Sequence, residues 1–208
     1  RDSAALETLI ASRVDVVIAV GLTMDKESLS KYAKRMKLIS VTRESDGVLS
    51  VTANDLLGAE LATRHLVQLG HKKIAFLANP QTDGYRDRLS GYENAMIKAG
   101  LERLVMESSY LRSEAESDAG ELLDSVKPTA VFAHNDLAAL GVLDALVARN
   151  LKPGKDVAVV GYDNTSLSEA PVLALTTVNP HSQDLGRQAA KLALALLADQ
   201  SAKLSSVV

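Results

Sequence analysis

Thr129-Ala130-Val131-Phe132-Ala133-His134-Asn135-Asp136-Leu137-Ala138-Ala139-Leu140-Gly141-Val142 is the stretch on which the fold turns. Its opening, residues 129–133, is a near-continuous apolar run, as a parallel strand covered by helices on both faces requires. His134-Asn135-Asp136 breaks that run with three polar side chains. An apolar helical pattern over residues 137–147 follows at once, with Asp136 expected to cap it. Leu140, Leu143 and Val147 lie on one side of this helix and Ala138, Val142 and Ala145 on another. The helix is therefore either covered within its own domain or shared with a second copy of the chain.

The same succession recurs to either side. Residues 14–20, 38–42, 73–78 and 157–162 read as further buried strands. Helical stripes separate them. Leu29, Tyr32, Ala33 and Met36 form one; Ala59, Ala62, Leu66 and Leu69 form another, opened by Asn54 or Asp55 and stopped by Gly70. Leu89, Tyr92, Met96 and Ala99 end at Gly100, Leu122 and Val126 close a helix before Pro128, and Leu185, Ala189, Leu192 and Leu196 stripe the last helix. Alternation of this kind predicts an α/β chain of βαβ units with open, doubly wound parallel sheets. Residues 200–208 run from polar to apolar without a helix or turn signal.

Bulk properties narrow the function. The chain has 208 residues, 47% apolar and 24% charged, which suffices for one large or two small cores and is too apolar for disorder. No apolar run has the length of a membrane span, and Arg1-Asp2-Ser3-Ala4 lacks the layout of a signal peptide. With no methionine at position 1, the chain is expected to be a fragment or a processed form. There is no cysteine, which excludes disulfides and cysteine-ligated zinc and fits a cytoplasmic location. Net charge is −3 with scattered Lys and Arg, so DNA contact would have to come from another segment. The chain has no G-x-G-x-x-G after a strand, no P-loop, no G-x-S-x-G and no H-E-x-x-H. The reading is therefore of a non-enzyme, with no catalytic residue, cofactor or metal assigned. His134 beside Asp136 has no third ligand at metal-binding spacing.

Polar residues gather at the strand tips. Residues 38–41 run into Thr42-Arg43, residues 73–78 into Asn79, residues 131–133 into His134-Asn135-Asp136, and residues 157–162 into Asp163-Asn164. Open α/β sheets bind ligands beyond these carboxyl ends. Arg, Asn and Asp present forked donors and acceptors that match neighbouring hydroxyls. Each alone is an ordinary turn or capping residue; four such tips together point to a polar cleft. Phe76 and Phe132 sit inside strands and read as core, leaving Tyr85 and Tyr110 as candidates to stack on a sugar ring.

At these residues the chain closely resembles the LacI/GalR family of bacterial regulators, from near Asp15 to about Leu197. The resemblance is carried by Asn54 through Gly58-Ala59, His65-Leu66 and Leu69-Gly70-His71; Ile74-Ala75-Phe76; Arg88-Leu89-Ser90-Gly91-Tyr92; the stretch from Pro128 to Asp136 with Ala139-Leu140-Gly141; Val159-Val160-Gly161-Tyr162-Asp163-Asn164; and Leu175-Thr176-Thr177-Val178. It implies two doubly wound subdomains of the periplasmic binding protein-like type I fold. Residues 1–70 and 178–198 would form an N-terminal subdomain lacking its first βαβ unit, and residues 71–177 a C-terminal one. The missing unit and a helix-turn-helix headpiece would lie upstream. It further implies a small-molecule effector, a sugar or sugar derivative, in an inter-subdomain cleft, contacted by Arg43, Asn54, Asp55, Arg88, Asn135 and Asp163. A homodimer that reaches operator DNA through its headpieces would complete the picture. Thr42 replaces the family's usual acid before Arg43, Asn54-Asp55 inverts a frequent Asp-Asn, and Pro180 stands where many members carry glutamine. A secreted solute-binding protein of a sugar transporter would share the fold and is the alternative reading.

Overall fold

The computed structural model describes residues 1–198 and 205–208. Residues 199–204 lie outside that set, and with them most of the tail that carries no sequence signal. The chain divides into two compact units, Arg1–Ala53 with His181–Val208, and Asn54–Pro180.

In the first unit, β1 (Val17–Val20), β2 (Leu38–Val41) and β3 (Leu49–Val51) form a three-stranded parallel sheet in the order β1-β2-β3. Helices α1 (Asp2–Ala11) and α2 (Lys26–Ala33) cover one face, where Leu6 and Leu29 pack on Val17, Ala19 and Leu38. Helix α7 (Ser182–Ala198) covers the other, with Ala189 and Ala193 against Ile39, Val41 and Val51. Val207 extends the far edge by a parallel bridge to Val51. On the opposite edge β1 buries Val17 and Ala19 and exposes Ile18 and Val20, 42% and 66% accessible.

The second unit begins with α3 (Asp55–Gln68) and continues through β4 (Ile74–Ala78), α4 (Tyr85–Lys98), β5 (Leu104–Glu107), α5 (Arg112–Ser125), β6 (Ala130–Ala133), α6 (Asp136–Ala148), β7 (Ala158–Tyr162) and β8 (Thr176–Val178). All five strands are parallel, in the order β5-β4-β6-β7-β8. α3 and α4 cover one face around Phe76, Tyr92 and Phe132, and α5 and α6 cover the other around Leu122, Val131 and Leu146. Phe76 and Phe132 stack at 4.8 Å between centroids, confirming them as core. Tyr85 also packs against this cluster and is not a free stacking ring. The strand order reverses between β4 and β6, and such a reversal opens a crevice at the carboxyl ends of the strands.

The boundary near residue 54 differs from the expected one near residue 70. α3 was expected with the first unit, yet it packs along α4. Gly91 makes that approach possible: a Cβ there would run into the Leu56 carbonyl and the Ala59 side chain. Burying Ala59, Ala62 and Leu66 against the second core ties the helix to that unit. α6 is covered on several sides by its own unit, burying Ala138, Ala139, Val142, Ala145 and Leu146, while the Leu140–Val147 side opens outward until Val147 is exposed.

Candidate functional site

Within the second unit, the tips of β4, β6 and β7 and the start of α3 bring together a charged cluster. Its centre is Arg88, in the first turn of α4, with a side chain 13% exposed. The guanidinium lies 3.7 Å over the ring of Tyr162, the last residue of β7. Its Nε donates to Asp55 Oδ1 at 2.9 Å and its Nη1 to the His134 carbonyl at 2.5 Å. Nη2 stands 3.8 Å from Asp163 Oδ1, beyond hydrogen-bond range. Burial opposes the arginine's charge, but Asp55, Tyr162 and Asp163 outweigh it and hold the pKa above the usual arginine value.

The platform depends on α3. Tyr162 reaches the first turn of that helix, where a Cβ on Gly58 would collide with the phenol hydroxyl. Burial and the neighbouring Asp55 carboxylate both raise the Tyr162 pKa, so the phenol keeps its proton. Asp55 itself packs against Gly84, where a Cβ would strike its carboxylate. The ring, the arginine and Asp55 thus lock one another in place.

Asp163 follows directly. Its φ of 101° lies in the left-handed half of the map, and Asn164 after it has φ 49°. Such a backbone costs about 1–3 kcal/mol in a non-glycine residue and is found where a surrounding structure imposes it. Here the Asp163 amide donates to the Val178 carbonyl at 3.0 Å and the Asn164 amide to Thr177 Oγ1 at 3.3 Å. Burial pushes the Asp163 carboxyl up to about 6, Arg88 pulls it down, and Asp136 and Asp55 add to the rise. The side chain is nevertheless 40% exposed, so this acid can meet a ligand.

Of the six residues singled out in the sequence, Asp55, Arg88 and Asp163 converge directly, and Asn135 stands beside His134, whose carbonyl Arg88 holds. Asn135 is the N-cap of α6, accepting from the Ala138 amide at 2.7 Å through Oδ1. That corrects the expectation for Asp136. Asp136 is the first helical residue, 1% exposed, and accepts from the Thr165 amide, the Thr165 hydroxyl and the Thr177 hydroxyl. It braces the β7–β8 connection. Asn54 caps α3 through the Leu57 amide at 3.0 Å and is exposed. Arg43 belongs to the first unit, where its guanidinium donates to the Met24 carbonyl.

Sequence reasoning missed Tyr162 as the platform, since it reads as the apolar end of a strand. β5 was not recognised either, and His134 was read as part of a polar strand tip and weighed otherwise only as a metal ligand. Tyr110 is half exposed and meets the His134 ring edge-on at 5.9 Å. Among the described residues no group of three or more His, Cys, Asp or Glu is placed to hold a metal ion, and no helix is long and apolar enough to cross a membrane.

A doubly wound parallel sheet with its polar cluster at the strand-order reversal defines a periplasmic binding protein-like domain, and that family's pattern matches residues 63–208. Within that class the chain belongs to the LacI/GalR effector-binding domains. The ribose operon repressor of Escherichia coli (strain K12) is 32% identical over 195 residues, covering 88% of this chain and 58% of that protein. A LacI transcriptional regulator from Rhodococcus species superposes with TM-score 0.93 at 32% identity, over 100% of this chain and 78% of the other. The complex of the transcriptional regulator CelR with cellobiose gives TM-score 0.89 at 28% identity, over 99% and 66%. The chain spans 42–61% of the length of the curated relatives DegA, PurR and the ribose repressor, all of them transcription regulators.

Proposed function

We propose that this chain is the effector-sensing domain of a LacI-type transcription regulator, and that the second unit holds a small polyhydroxylated effector through Arg88, Asn135 and Asp163. The carrying observation is the pairing of Arg88 Nη2 with Asp163 Oδ1 across 3.8 Å. A hydroxyl placed there accepts from the guanidinium and donates to the carboxylate, which neither group can do for the other at that distance. Asn135 spends Oδ1 on its cap, so its amide nitrogen is the end that would donate to a neighbouring ligand oxygen. Asp55 and Asn54 act one step back: Asp55 fixes the arginine and Asn54 fixes the helix that carries Asp55.

The naming of relatives after ribose and cellobiose supports a sugar as effector. In the whole regulator we propose a cytoplasmic homodimer, with the outward Leu140–Val147 side of α6 at the subunit contact and operator DNA bound by a headpiece outside this chain.

Thermal-shift screening of ribose, glucose and cellobiose tests the reading. A binding sugar raises the melting temperature by mass action, by about 2.7 kcal/mol of stability at a hundredfold excess over Kd. The shift is expected to fall to about half or less in Asp163→Asn, since a tenfold loss of affinity leaves only about 1.4 kcal/mol. An equal shift in that variant removes Asp163 from the site.

A further inference from the structure

Three buried polar atoms have no hydrogen-bond partner among the described residues: Asn79 Nδ2, Ser108 Oγ and His134 Nε2. Their positions are related. Asn79 follows β4, Ser108 follows β5 and His134 follows β6, and these strands are neighbours in the order β5-β4-β6. The tips are laced in register, with the Ser108 amide donating to the Ala78 carbonyl at 2.7 Å and the His134 amide to the Leu77 carbonyl at 2.9 Å. Asn79 and His134 are each 1% exposed. An unsatisfied buried polar group costs about 1–3 kcal/mol, and native folds leave few of them. Three stand on adjacent strand tips, one of them on the residue whose carbonyl Arg88 holds, where a bound molecule could supply the partners.

The types of these atoms say which molecule. Asn79 Oδ1 already accepts from the Gln81 amide at 3.0 Å, so its free end, Nδ2, only donates. His134 Nδ1 faces the Leu77 carbonyl at 3.3 Å, which assigns the proton to Nδ1 and leaves Nε2 an acceptor. Ser108 Oγ does either. One donor, one acceptor and one hydroxyl suit alcohol groups, which give and take hydrogen bonds together; they do not suit a phosphate or carboxylate, which wants donors alone. Burial holds the His134 pKa down at about 4, so the imidazole offers no positive charge to an anion. Asp55 and Asp163 flank a single arginine whose charge Asp55 already engages, and Asp136 adds further negative charge beside Asp163.

We propose that Asn79, Ser108 and His134 form a hydroxyl-reading set on the second unit that confines the effector to uncharged polyols and rejects phosphorylated or carboxylated sugars. This rests on the effector-site reading above and adds the ligand class to it. The test is titration calorimetry on the whole chain with ribose and glucose, each paired with its counterpart ribose 5-phosphate or glucose 6-phosphate, and with glucuronate. A neutral sugar is expected to bind at least tenfold tighter than its charged counterpart. Equal or tighter binding of the charged form overturns the ligand class while leaving the effector site standing. No binding by any of the five, nor by cellobiose, at millimolar concentration overturns both. With the sugar that binds, Ser108→Ala and His134→Gln are expected to weaken affinity about three- to tenfold, one hydrogen bond's contribution. Ser108→Ala should not lower the melting temperature of the unliganded chain. Unchanged affinity with a lowered melting temperature would show that the three atoms satisfy the fold alone, and would end the proposal.

Discussion

Asp163 combines a left-handed backbone with a carboxyl pushed up to about 6, and both features have measurable consequences. Its folded pKa lies above the model value of 3.8, so the native state holds this proton more tightly than the unfolded chain does. The stabilising contribution is therefore full below about pH 4 and is lost as pH rises through 6. Asp163→Asn removes the charge, keeps the shape and tolerates positive φ, so it is expected to raise stability at pH 7. The gain is about 1 kcal/mol after discounting for the solvent that reaches the side chain, or about 2–4 °C in melting temperature. The same variant should lose at least tenfold in effector affinity. In the wild type, calorimetry should find affinity falling as pH drops below about 6, because the ligand's hydroxyl needs the ionised acid; the groups facing it are Arg88, Asp55, Asp136 and the two phenols Tyr110 and Tyr162. Arg88→Ala leaves Asp55 buried without its cation and should cost about 3–5 kcal/mol in a denaturant titration. Asn135 and Asp163 stand out in the sequence as forked polar side chains at strand tips, whereas Arg88, on α4, is singled out by the family resemblance alone. Tyr162 does not stand out, because a tyrosine ending a strand reads as core until Gly58 is seen to admit its hydroxyl.

The long elements were readable because they have a strong period. β4, β6 and β7 are unbroken apolar runs, and the stripe of α3 ends where the helix does. The elements that escaped lack such a signal. β3 and β8 have three residues each, β5 is an edge strand with alternating burial that ends in Glu107, and α1 buries only Leu6. The caps of α6 were exchanged for a similar reason, since Asn135 and Asp136 are both good capping residues and only the coordinates show which side chain turns back to Ala138. Asp136 instead receives three donors from Thr165 and Thr177. Asp136→Ala should therefore destabilise the second unit by about 2–3 kcal/mol, since three part-buried donors lose their acceptor. Faster hydrogen exchange at the Thr165 amide is the diagnostic; unchanged protection there would contradict the brace.

For the molecule as a whole, the sequence anticipated two parallel α/β units but misplaced one boundary, because the attachment of α3 depends on helix–helix contact rather than on its own pattern. The central claim is that the polar cluster at the strand-order reversal of the second unit is an effector site. A crystal structure of the chain with the sugar that shifts its melting temperature most tests this directly. The account predicts a sugar hydroxyl within hydrogen-bond distance of both Arg88 Nη2 and an Asp163 carboxylate oxygen. A sugar bound with neither residue in contact would contradict it.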